Sequence, residues 1–397
     1  MISLALLGLI AGGCSSGKPS RKEQARANWN AARAGVLLNL ANDQYRHGNF
    51  ADARKTSNEA LKLSNKVPGL FVLRAKLDIE DGELQSAAAA LAAAKALSPA
   101  DPEPYYLSGI VNERWQKAED ALADYRAALE RNGSEMAYLL AVAESLVGLD
   151  RPAEAAALLE PKVAYFESSA PIRDMLGQVY AEQGRHAEAA EMFRQAAVLA
   201  PDDADIRERQ AVALAQAGDF RRAADLLERL TAEPANAEKV SLHLTLAECR
   251  MQMGNAAGAR AAYQRATRID ERNVAAWLGV GKAALAAGEL DRAEVAVGRA
   301  EALRPAGRVG ADVALLRGYV QLKRGQVEQA AASFAAAGRI EPRDPMPLTM
   351  YGYCQQLLGR PAEARRFYDR ALELDPGETL ADELKRALAA APTDPLP

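Results

Sequence analysis

The chain has 397 residues, with 49% hydrophobic and 26% charged side chains, which is ample for a folded core and excludes general disorder. Aromatics are only 6%, and the apolar content is mostly Ala and Leu set among Glu and Arg, a mixture that favours helix over strand and predicts an all-α protein. A net charge of -4 leaves no basic excess for phosphate backbones, so no nucleic-acid partner is expected.

In chain order, residues 2–13 form an uncharged apolar run, too short to span a bilayer and of a length that suits the apolar core of a secretory signal. The run ends in Ala11-Gly12-Gly13 directly before Cys14, the first of three cysteines. Gly12 and Gly17-Lys18 imitate the opening of a phosphate-binding loop. Pro19 stands where such a loop needs a hydroxyl for magnesium, however, and an all-α chain offers no parallel sheet behind it. Residues 14–30 read as a polar tether. Cys249 and Cys354 fall in helical patterns and are expected to be small core residues rather than a bridge.

From residue 31 to 378 a fixed period organises the sequence. Turn positions recur at Gly48, Gly82, Gln116, Asp150, Gly184, Gly218, Gly254, Gly288, Gly325 and Gly359. Five residues after each stands Ala, and seven residues before each stands Ala or Gly. Each period predicts two antiparallel helices. The turn glycine ends the first helix in a left-handed conformation, the small residues allow close backbone approach, and a proline such as Pro201 or Pro376 stops the second helix. A single unit cannot bury its own core, so the units must stack. The longer steps at "TAEPANAEK" and "RPAGRVG" predict extended turns, and 379–390 predicts a closing amphipathic helix before a disordered tail at 391–397.

The pattern closely resembles the tetratricopeptide repeat. Leu176, Gly177, Tyr180, Gly184, Ala189, Phe193, Ala196 and Pro201 carry the signature in one copy, and Trp277, Gly281, Gly288, Ala293, Ala300 and Pro305 in another. Gln116 and Asp150 depart from it at the turn, and Lys162 and Leu230 at a small packing position. The resemblance implies an α-solenoid of about ten stacked repeats with a C-terminal capping helix. It also implies a concave groove for a protein or peptide partner, lined by the first helix of each repeat. Carried onto this sequence, the groove positions include Val72, Tyr106, Ile110, Leu140, Glu144, Asp174, Gln178, Glu208, Leu244, Glu248, Leu278, Lys282, Tyr319, Thr349 and Tyr353. Such a groove would be acidic in its middle, at Glu144, Asp174, Glu208 and Glu248, and aromatic at its C-terminal end, where Leu285 and Leu322 join the tyrosines. That suits a segment with Lys or Arg and a bulky apolar anchor. The lysine–asparagine grip that some relatives place on a C-terminal carboxylate is not matched, since Leu38 stands beside Asn42.

His47, His186 and His243 lie in different repeats, and the carboxylates alternate with Arg along helices, so no metal site, catalytic pair, cofactor or small-molecule substrate is expected. The stretch "LIAGGCSSG" resembles a bacterial lipoprotein signal, which implies cleavage after residue 13 and acylation of Cys14. The expected location is then the cell envelope, on the periplasmic side of the outer membrane and held to the lipid bilayer. Lipid-anchored repeat proteins of this kind are similar to assembly factors of pili, secretion and polysaccharide export. The alternative is a cytosolic repeat adaptor whose first residues are not a signal.

Overall fold

The computed structural model describes residues 20–390. Residues 1–19 and 391–397, and with them the apolar run, Cys14 and the C-terminal tail, lie outside the described residues. The described residues are helical, with no strand among them, and divide between Phe166 and Glu167 into two compact units. The first unit contains four helix pairs: α1 (Arg21–Arg46) with α2 (Phe50–Leu63), α3 (Pro68–Glu80) with α4 (Leu84–Leu97), α5 (Glu103–Arg114) with α6 (Ala118–Arg131), and α7 (Met136–Gly148) with α8 (Pro152–Tyr165). The second opens with α9 (Ala170–Glu182) and α10 (His186–Leu199), α11 (Ala204–Gln216) and α12 (Phe220–Ala232), and α13 (Val240–Gln252) and α14 (Ala256–Ile269). It continues with α15 (Val274–Ala286) and α16 (Leu290–Ala302), α17 (Gly307–Lys323) and α18 (Val327–Ile340), and α19 (Pro345–Leu357) and α20 (Pro361–Leu374). A last helix, α21 (Thr379–Ala390), lies where a closing helix is expected and packs on α19 and α20 with Ala381 fully buried.

Each first helix ends in the same way. In the α9–α10 turn Gly184 has φ +71°, its N–H donates to the Ala181 carbonyl, and the Arg185 N–H reaches back to the Tyr180 carbonyl at 2.8 Å. These bonds satisfy carbonyls that the helix end would otherwise leave open. Gln116 and Asp150 adopt the same left-handed conformation, at φ +59° and +58°, and keep the same closing bonds. The turn geometry therefore survives the loss of glycine. The second helices stop two residues before Pro99, Pro201, Pro234, Pro342 and Pro376, as the ring requires.

The alanine five residues after each turn is buried in every pair, from Ala53 to Ala364. Seven residues before the turn the choice between Ala and Gly follows the facing side chain in most pairs; the exceptions are Ala247, where Gly279 instead makes room for Tyr263, and Gly281, which is covered by Leu316 of α17. A Cβ added at Gly177 would lie 2.7 Å from the Phe193 ring, at Gly318 2.5 Å from Phe334, and at Gly352 2.8 Å from Tyr368. Gly109 is likewise covered by Tyr125. Where the second helix carries Leu instead, as at Leu91, Leu159 and Leu227, the first helix carries Ala75, Ala143 and Ala211, all fully buried. Volume is exchanged across the pair so that packing density is kept.

Two sequence expectations are corrected. The helical repeats begin ten residues early: Ser20 caps α1, its hydroxyl accepting from the Glu23 N–H while the Glu23 carboxylate accepts from the Ser20 N–H, so residues 21–30 are helix rather than tether. In "RPAGRVG" the turn is confined to Arg304, Pro305 and Ala306, with Arg304 at φ +53°, and the extra length becomes an added turn of α17. "TAEPANAEK" does form a longer connection, held by buried Asn236, whose amide donates to Glu233 at 2.9 Å. Cys249 and Cys354 are buried core residues as expected, and burial raises the Cys354 thiol to about 11.

Candidate partner-binding faces

The groove residues expected from the sequence all lie on first helices, and most are half-buried or exposed. In the first unit, Tyr106 of α5 packs between Tyr125 and Tyr138, with ring centroids 5.6 and 5.0 Å apart. Ile110 flanks the same core cluster as Tyr106. Glu113 accepts a 2.9 Å hydrogen bond from the Tyr125 hydroxyl. Glu144 of α7 sits on the solvent side, its carboxyl raised above the usual range by desolvation and then by the charge of Glu113. Burial, followed by Glu144, Glu113 and Glu135, raises the Tyr106 phenol. Burial, with Glu103, Glu135 and Asp101, raises Tyr138 to about 12. The result is a neutral aromatic surface edged by carboxylates, on which a cation is favoured twice, by the charges and by the ring faces. Leu140 is half-buried one helical turn before Glu144.

In the second unit two open clefts lie between successive first helices. One, of about 430 Å³, is lined by Gln178 of α9 and by Glu208, Arg209 and Val212 of α11. The other, of about 340 Å³, gathers Lys282 and Leu285 of α15 with Asp312, Leu315 and Tyr319 of α17. The Tyr319 ring meets Phe334 edge-on at 5.3 Å, and burial, then Asp344 and Glu378, raises its phenol. Tyr353, with Leu322 and Leu380 of α21, packs against the Phe334–Met350 cluster. The closing helix therefore takes part of the aromatic surface expected to be open. Leu244 is half-buried on α13, and Glu248 is exposed on it.

Two of the four carboxylates expected to form an acidic middle, Asp174 and Glu208, are paired with cations. Arg209 holds Asp174 through two 2.9 Å hydrogen bonds, and the Gln178 amide donates to the same carboxylate at 2.9 Å. Lys239 approaches Glu208 at 3.4 Å, and the Ser241 hydroxyl donates to that carboxylate at 3.2 Å. Arg209 was missed because it lies one place off the groove register, and Lys239 because it caps α13 and precedes the helix that carries the groove positions. The signal that finds them is opposite charge about one repeat length apart, 35 residues for Arg209–Asp174 on consecutive first helices and 34 for Lys239, at the start of α13, with Asp205 of α11. Several groove positions carried over with the pattern, Val72, Leu278 and Thr349, are instead buried.

Two of the three histidines are accounted for locally. His47 contacts the Asp43 carbonyl at 2.8 Å, and buried His243 contacts the Ala237 carbonyl at 3.0 Å. Among the described residues no group of three or more His, Cys, Asp or Glu side chains is placed to hold a metal, and no helix is long and apolar enough to cross a membrane.

Comparison with known proteins sets these faces in a family. A tetratricopeptide-repeat model matches residues 38–102, 175–238, 244–308 and 315–379, well over half of the chain. This chain belongs to the tetratricopeptide repeat family. A second tetratricopeptide-repeat model matches 214–272. The intervening stretch 103–174 holds both non-glycine turns, whose left-handed geometry continues the repeat through it. A solved tetratricopeptide-repeat protein from Cytophaga hutchinsonii is similar at 17% identity with a TM-score of 0.53, over 61% of this chain and 99% of that one. Another from Parabacteroides merdae is 14% identical with a TM-score of 0.47, over 64% and 98%. Protein CTR9 homolog from Arabidopsis thaliana is 30% identical over 119 residues, 29% of this chain, and the match spans 10% of that relative. Tetratricopeptide-repeat proteins are in general non-enzymatic scaffolds that bind protein partners.

Proposed function

We propose that this protein is a lipid-anchored tetratricopeptide-repeat scaffold that binds a partner protein on its first-helix faces and assists assembly of a cell-envelope complex. The observation that carries the binding half is the open cleft between α15 and α17. There apolar Leu285, Leu315 and Tyr319 are rimmed by one cation, Lys282, and one anion, Asp312. A cleft of this composition suits a bulky apolar anchor, with polar groups fixing its orientation. The partner best matched to both units is a segment with an apolar anchor and a Lys or Arg, the latter suited to the tyrosine–glutamate surface of the first unit. The anchoring half is supported by the apolar run and small residues before Cys14.

The two halves are tested separately. Radiolabelled palmitate should label the chain and not its Cys14→Ser variant, which should leave the membrane fraction; a chain that stays soluble and unlabelled is a cytosolic adaptor instead. For the cleft, Leu285→Asp should lower affinity for a captured partner about tenfold or more, as expected when a central apolar pocket is made polar. Unchanged affinity would remove the α15–α17 cleft from the reading.

A further inference from the structure

The first helix differs from the other first helices in length and in what it leaves open. Helix α1 has 26 residues, whereas its counterparts have 12 to 17. Its C-terminal half packs normally: Ala34 and Ala41 are fully buried, and Leu38 and Tyr45 lie against the cores formed with α2 and α3. Residues 21–29 are exposed throughout. Trp29 is 65% exposed, Val36 69% and Leu40 49%, a run of uncovered apolar side chains along one helix. At about 100° per residue these three fall within roughly 40° of arc, and Lys22, Arg26 and Arg33 fall on the same side. Those three cations are exposed, and with Arg21 they outnumber the one acid of this half, Glu23, which is engaged in the cap.

We propose that this face of α1 lies on an anionic bilayer surface, with Trp29, Val36 and Leu40 entering the interface and Lys22, Arg26 and Arg33 meeting lipid phosphates. The composition is that of an interfacial helix: an amphipathic ring at headgroup depth, aliphatic side chains beside it and cations around them. Charge complementarity selects this occupant over a second copy of the chain, because pairing two such faces would set like charges together. A short helical extension without tertiary partners is marginal in water, and a surface that covers one side stabilises it. Chain length points the same way: from Cys14 to Arg21 the backbone reaches at most about 25 Å at ~3.6 Å per residue. This last argument rests on the acyl anchor proposed above; the composition of α1 does not.

The test uses the full chain with Cys14→Ser, so that no acyl group can hold it to lipid, and vesicles of phosphatidylcholine with or without about one third phosphatidylglycerol. Flotation with the anionic vesicles alone is expected, weakened at least about tenfold on raising salt from about 0.1 to about 0.5 M. Arg26→Gln/Arg33→Gln, and separately Trp29→Ser, should each weaken it at least about tenfold with helical content unchanged, since all three side chains are exposed. No flotation with either vesicle, equal flotation with both, or flotation untouched by these changes would overturn the proposal. So would self-association of the chain in solution that Trp29→Ser abolishes. Palmitate labelling of the unaltered chain reads the anchor independently, so failure of one is distinguishable from failure of the other.

Discussion

Gly177 and Phe193 show how the repeat is specified one residue at a time. The ring occupies the volume a methyl group would need, so Gly177→Ala forces Phe193 or the helix backbone to move. Overpacking of this kind costs about 1–3 kcal/mol. The same chain contains the compensated alternative, Ala211 facing Leu227, so adding Phe193→Leu to Gly177→Ala should recover most of the loss. Urea unfolding of the four variants in a double-mutant cycle checks this, and additivity would refute it. The opposite strain exists at Gln116 and Asp150, which hold left-handed φ with a side chain attached. Gln116→Gly and Asp150→Gly should each raise the free energy of unfolding, by about 1 kcal/mol, read from urea unfolding. Glu144 gives a pH signature. Its carboxyl is raised in the folded state, so the native chain holds the proton more tightly than the unfolded one, and stability falls as pH rises through that window, above the usual 4.5. Thermal unfolding of Glu144→Gln across pH 4 to 7 should show a flatter profile and a higher midpoint at neutral pH.

At the scale of elements, side chains bind one helix pair to the next. Asp78 of α3 is buried, and it accepts from Arg54 of α2 and from Ser86 of α4, both at 2.6 Å. Asp78→Ala would leave Arg54 with Asp81 alone and the Ser86 hydroxyl without its acceptor, a loss of about 1–3 kcal/mol that hydrogen exchange should locate in α2–α4. Exchange spread uniformly over the chain would contradict that. The same scale shows what could be read from sequence. Turns and helix pairs were legible because φ > 0 and close approach demand particular residues at fixed phase, and Gln116 and Asp150 were legible by phase alone. The pairing of Asp174 with Arg209 was not, because a family frame names positions on one helix, whereas the charge of a face is set by neighbours one repeat away. The buried Val72 and Thr349 have the same origin: the frame gives the side of the helix, and local packing decides depth. The early start of α1 was missed because a polar, charged stretch reads as tether until the Ser20–Glu23 capping box is noticed.

For the molecule as a whole, two surfaces carry the account: the first-helix faces, which would take protein, and the exposed side of α1, which would take lipid. They use different residues and can be disabled independently. The second helices give the control, because Val198 and Val295 are large, apolar and exposed outside the proposed faces. The most direct measurement places a photo-crosslinking residue in the full-length chain, in living cells, at Gln178 or Lys282 on the first-helix faces and at Val198 or Val295 on second helices. The account predicts that one envelope protein crosslinks from the first-helix positions and not from the second-helix positions. Equal yield from both sets, or capture from Val198 and Val295 alone, would contradict binding on the first-helix faces.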